Sequence, residues 1–105
     1  MSQRIAYFRV STTGQSIEAQ RAELGGNFDK QFSDIGVSGA VLAKDRPGLA
    51  ELLNYARSGD TVYVYAVDRL GRDSIDVQST VRSLLDKGVQ LHVHGIGPIA
   101  GEAGK

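Results

Sequence analysis

Cysteine is absent from the 105 residues. That excludes disulfides and thiolate-bound metal, and it fits a reducing compartment. Long apolar runs are missing too: none approaches the length of a membrane span, and Met1-Ser2-Gln3-Arg4 leads straight into a strand pattern rather than a signal peptide. An excess of either charge is the third absence. Twelve basic residues face twelve acidic ones, for a formal net charge of zero, so the totals lack the basic surplus that usually advertises a nucleic-acid partner. What is present is ordinary for a globular chain, 41% hydrophobic and 23% charged residues, with enough length for one core and too little for two. The choice of base is more telling. Eight of the twelve basic residues are arginine, whose fork suits phosphate or carboxylate and keeps its proton in any site.

Residues 4–10 read as a strand covered on both faces, since Ile5, Ala6, Tyr7, Phe8 and Val10 are nearly continuous in apolarity. Arg9 interrupts that run, and Ser11 stands where the strand should stop. Alternation puts Tyr7, Arg9 and Ser11 on one side, with neighbouring members about 7 Å apart at Cα. After the turn at 11–15, Ser16 can cap a helix running to Leu24. Ile17, Gln20 and Leu24 share one face of it, and Gly25-Gly26 ends it.

A short second strand is expected at 30–33, then a long loop at 35–46. Pro47 opens a helix with Leu49, Leu52, Leu53 and Ala56 on its apolar face, closed by Ser58-Gly59-Asp60. Residues 61–67 are β-branched and aromatic and make the clearest strand. The loop Asp68-Arg69-Leu70-Gly71-Arg72 follows it. Asp73 or Ser74 caps a third helix with Val77, Val81, Leu84 and Leu85 inward, and 89–93 is the last strand. The tail, 95–105, has four glycines and no packing pattern, and it reads as mobile. The predicted division is therefore a domain over 1–94 and a flexible tail over 95–105.

Strands alternating with helices predict an α/β fold: a three-layer, mainly parallel sheet with helices on both faces and right-handed crossovers. Loops leaving the carboxyl ends of such strands line one edge, where sites form. Ser11, the 35–46 loop and the 68–72 loop all leave strands on that edge. Arg9, Arg46, Asp68, Arg69 and Arg72 thus have a reason to converge on Ser11. Singly, each has a plain structural reading as a turn residue, a snorkelling cation or a surface ion pair. Together, four arginines repel one another more than Asp68 alone offsets, and phosphate is the natural counter-ion. A serine hydroxyl there could attack a phosphodiester in line, with guanidiniums stabilising the developing charge. The acid–base partner is not assigned: neither histidine falls near these loops in sequence, and arginine is a poor base.

Three segments carry a resemblance. Tyr7-Phe8-Arg9-Val10-Ser11-Thr12 with Gln15, then Asp45-Arg46-Pro47-Gly48-Leu49, then Asp68-Arg69-Leu70-Gly71-Arg72-Asp73 resemble, in order and spacing, the serine recombinases of the resolvase and invertase type. The resemblance covers essentially the whole chain. It implies a flavodoxin-like, resolvase-type fold and site-specific cleavage and rejoining of double-stranded DNA through a 5′-phosphoserine. It makes Ser11 the nucleophile, with Arg9, Arg46, Arg69, Arg72 and Asp68 as active-site partners. Gln15, Gln20, Asp34 and Ser38 match supporting positions, which would explain a glutamine on the apolar face of the first helix. It implies no metal or other cofactor, a cytoplasmic bacterial or mobile-element setting, and dimers or tetramers in a longer protein. In the family, residues like 101–105 precede an oligomerisation helix and a DNA-binding domain, so this chain by itself is expected to be monomeric and unable to complete recombination. Resolvase, invertase and transposase share the three motifs.

Two further patterns point elsewhere. His92 and His94 fall on one side of the last strand, but no third ligand accompanies them, and they read as ordinary strand residues. The turn at 11–16 could cradle an anion at a helix start. It lacks the glycine patterns of dinucleotide and P-loop sites, and it sustains only the alternative of a non-catalytic anion- or nucleotide-binding α/β module.

Overall fold

The computed structural model describes residues 3–10, 17–25, 27–36 and 40–99. Five strands form one sheet in the order β2-β1-β3-β4-β5: β1 is Arg4–Val10, β2 Lys30–Ile35, β3 Thr61–Val64, β4 Gln90–Val93 and β5 Gly97–Ile99. The first four strands pair in parallel, and β5 joins β4 antiparallel. Among the described residues three helices connect the parallel strands, α1 (Ile17–Glu23), α2 (Pro47–Tyr55) and α3 (Ser74–Asp86), with short 3-10 turns at Ala43–Asp45 and Val67–Leu70. The expected α/β class, element order and mainly parallel sheet are all present.

Strand order explains the layering. The chain moves from β1 to β2 in one direction, then returns past β1 to β3 and onward to β4. Right-handed crossovers in opposite directions put α1 on one face and α2 with α3 on the other. The second face holds the main core, where Ile5, Tyr7, Val62, Val64, Leu91 and Val93 meet Leu49, Leu52, Ala56 and Leu84. On β1 the intervening Ala6 and Phe8 are also fully buried. Burial on both sides is why this strand is continuously apolar.

Several boundaries differ from expectation; β2, expected at 30–33, runs on to Ile35 in register with β1. The strand expected over 61–67 ends at Val64, because Val67 already begins a 3-10 turn. Part of the 35–46 loop is likewise organised as a 3-10 turn. Residues 97–99, expected within a mobile tail, instead extend the sheet: Gly95 and Gly97 take positive φ and turn the chain back so that Gly97 pairs with Val93. A glycine-rich hairpin this short carries no periodicity to read. The cap of α3 resolves to Asp73, whose side chain accepts from the Asp76 amide.

Candidate active site

The site is built on β1 and its two neighbours, at their carboxyl ends. Asp34, near the end of β2, is buried and accepts three hydrogen bonds among the described residues. The Tyr7 hydroxyl donates to Oδ2 at 2.7 Å, the Gly48 amide to Oδ1 at 2.7 Å and the Leu49 amide to Oδ2 at 3.0 Å. These amides are the second and third of α2, whose first residue is Pro47 and whose preceding residue, Arg46, supplies no side-chain cap. A carboxylate from the adjacent strand therefore does what a local N-cap would do, at the positive end of the helix dipole. Tyr7 is held in turn. Burial first, then the Asp34 hydrogen bond and charge, push its phenol well above the usual tyrosine range, while Arg46 pulls the other way.

Arg46 has no exposed surface. Its Nε donates to the Val41 carbonyl at 3.0 Å and its Nη1 to the Arg69 carbonyl at 2.7 Å. One guanidinium thus joins its own loop to the loop after β3. The fork geometry of arginine suits this, since two donors leave in different directions from one rigid plane.

The third loop is fixed by Asp76. Its Oδ2 accepts from the Arg72 amide at 2.7 Å and from the Ala43 amide at 2.9 Å. Asp76 is the third residue of α3, where a capping-box side chain would turn back onto the cap's own amide. Here it reaches one residue further back and across to the second loop as well. Gly71 is packed so closely that an added Cβ would lie 2.6 Å from the Val77 nitrogen. Arg72 and Asp73 make a half-exposed ion pair at 3.4 Å, a geometry of small energetic value. The amide of Asp76 holds the Asp73 carboxyl below its ordinary pKa, with Arg72 assisting.

Against the sequence-based candidates, the structure brings Asp34, Arg46 and Arg69 into one bonded chain that also includes Tyr7, and it ties Arg72 in through Asp76. Arg9 is half-buried on the Tyr7 side of β1, at the register position opposite Asp34. Gln20 is buried on α1 as its position predicted, and its Oε1 has no hydrogen-bond partner among the described residues. Ser11, Gln15 and Ser38 lie outside the described residues, as does the side chain of Asp68, whose backbone belongs to the Val67–Leu70 turn. Among the described residues, no cluster of three His, Cys, Asp or Glu side chains is placed to hold a metal.

Sequence reasoning missed Tyr7 and Asp76 as site-building residues. A tyrosine in a fully buried strand must bond its hydroxyl, and an acid three residues after a cap is a known signal; both clues were available. It also set His94 apart from the loops, whereas its ring stacks on Tyr65, which in turn meets Arg69.

A model of the resolvase N-terminal domain matches residues 4–101. The chain belongs to the resolvase N-terminal domain family. Relatives of this domain include the transposon Tn2501 resolvase of Escherichia coli, 36% identical over 94% of this chain and 53% of that protein. The DNA-invertase hin of Salmonella typhimurium is 39% identical over 84% of this chain and 45% of that one. The N-terminal catalytic domain of TP901-1 integrase has the same fold, with a TM-score of 0.71 and 29% identity over 90% of this chain and 78% of that one. This resolvase-family domain spans about half the length of the curated relatives it matches.

Proposed function

We propose that this resolvase-family domain is the catalytic part of a site-specific serine recombinase that cuts and rejoins double-stranded DNA. One observation carries the reading. The three segments that match the family pattern are bonded to one another at the carboxyl edge: Tyr7 of the first to Asp34 and thence to the helix opened by the second, and Arg46 of the second to Arg69 of the third.

In the proposed reaction, Ser11 Oγ attacks a backbone phosphorus. The Oγ–P bond forms, the P–O3′ bond breaks and the 3′ oxygen leaves with a proton, so the 5′ phosphate stays on Ser11. Reversal by a new 3′ hydroxyl rejoins the strands without an energy source. Arg9, Arg69 and Arg72 are assigned to the phosphate oxygens, while Arg46, expected there from the sequence, has no exposed surface and is assigned to joining the two loops. Asp68 is the acidic member, and Gln15, Gln20, Asp34 and Ser38 are supporting residues. The catalytic unit, expected over 1–94, is assigned to those residues together with the β5 hairpin that extends their sheet through Ile99. The segment after the β5 hairpin leads toward the oligomerisation and DNA-binding parts of a longer, cytoplasmic protein.

The test is adduct formation by the full natural chain on its recombination site. A denaturation-resistant protein–DNA adduct is expected with the natural protein and not with Ser11→Ala. Arg9→Ala and Arg69→Ala are expected to bind the site yet leave it uncut. An adduct that survives Ser11→Ala, or saturable nucleotide binding with no cleavage at all, would overturn the assignment.

A further inference from the structure

Arg69 is held differently from Arg46 and Arg72. Arg46 is bonded to carbonyls and Arg72 sits beside Asp73. The Arg69 guanidinium carbon instead lies 5.8 Å from the centroid of the Tyr65 ring, and its buried Nε has no hydrogen-bond partner among the described residues. Tyr65 is itself backed by His94, with ring centroids 5.2 Å apart and planes inclined by 14°. The backbone under this column is tied as well. The His94 amide donates to the Val64 carbonyl at 3.0 Å, and the Arg69 amide to the Ala66 carbonyl at 3.0 Å.

We propose that Tyr65 and His94 are positioning residues that seat the Arg69 guanidinium. The physical argument concerns donors. A carboxylate or carbonyl that oriented Arg69 would occupy the N–H groups an incoming phosphate needs. An aromatic face attracts the cation through its quadrupole and leaves the edge of the fork available. His94 stiffens the arrangement, because a ring stacked on Tyr65 limits its rotation. The two rings come from the ends of adjacent parallel strands, so the sheet itself sets the location of the seat. This inference rests on the recombinase reading above, and its test separates the two.

With the full natural chain on its recombination site, Tyr65→Leu is expected to slow single-turnover adduct formation by on the order of 10- to 100-fold, the scale for a misplaced group. Site affinity should be unchanged, and the upfield ring-current shift of the Arg69 Hδ protons should disappear. Tyr65→Phe keeps the face and should restore both rate and shift. His94→Leu removes only the backing ring and should give a smaller loss of rate and of shift; it decides the matter if Tyr65→Leu does not fold. A Tyr65→Leu rate equal to or above that of the natural protein overturns the seat. A natural rate in Arg69→Ala overturns instead the phosphoryl-transfer reading beneath it.

Discussion

At the residue scale, the pair Tyr7–Asp34 shows how much a side chain's role depends on its surroundings. Tyr7 is part of the family-like first segment, yet its ring is core and its hydroxyl is a structural donor to a buried carboxylate. The raised phenol pKa has a consequence for stability. Above the ordinary value of 10.0, the unfolded chain releases this proton while the folded chain retains it. The folded state then binds more protons, so stability falls as pH rises past that point. The natural chain should lose urea stability between pH 9 and 11 (on the order of 1 kcal/mol per unit at full effect) more steeply than Tyr7→Phe. Equal slopes in the two proteins would show that the phenol is not held this way. Arg9 stood out in the sequence because a cation interrupts an apolar strand, and it is half-buried at the register position opposite Asp34. The Tyr7 hydroxyl was legible only as needing some partner, and the sequence did not say that the partner is Asp34.

At the element scale, α2 is placed by its first turn. Pro47 removes one orphan amide, and Asp34 takes the next two. Gly48 makes this possible: a Cβ there would stand 2.3 Å from the Ser33 carbonyl oxygen. Replacing glycine by alanine within a helix ordinarily stabilises by roughly 0.4–1 kcal/mol. Here the sign should reverse. The obstacle is strand backbone that cannot rotate away, and Gly48→Ala should cost about 1–3 kcal/mol as an overpacked contact does. Denaturant midpoints will decide it, with an unchanged or higher midpoint counting against the close approach. The helices and the parallel strands were readable from periodicity and caps. The β5 hairpin was not, because three residues paired on one edge only make no pattern.

At the scale of the whole molecule, the buried Arg46 is the joint between loops 23 residues apart in sequence. Arg46→Met has similar reach without the donors and would leave the Val41 and Arg69 carbonyls without that partner. Each hydrogen bond to a charged group contributes about 1.5–3 kcal/mol. The variant should therefore unfold at lower denaturant, and amide exchange should quicken over residues 41–46 and 66–70 ahead of the sheet. Exchange unchanged in both loops would mean that Arg46 does not connect them. The neutral overall charge also makes sense at this scale, because the proposed phosphate contacts come from a few placed arginines and need no basic surface.

The sequence by itself determined the alternation of strands and helices, the edge on which the loops gather and the family pattern, because these depend on local periodicity, turn chemistry and order along the chain. Only the tertiary structure decided which partners those residues take. Asp34 caps a helix from another strand, Asp76 holds two loops with one oxygen, and Tyr65 with His94 lies against Arg69. Asp76 to Ala43 and Tyr65 to His94 join segments whose separation in sequence carries no record of their distance in space. The packing of α2 and α3 on one face of the sheet brings the capping and loop contacts together, and the parallel pairing of β3 with β4 brings Tyr65 to His94.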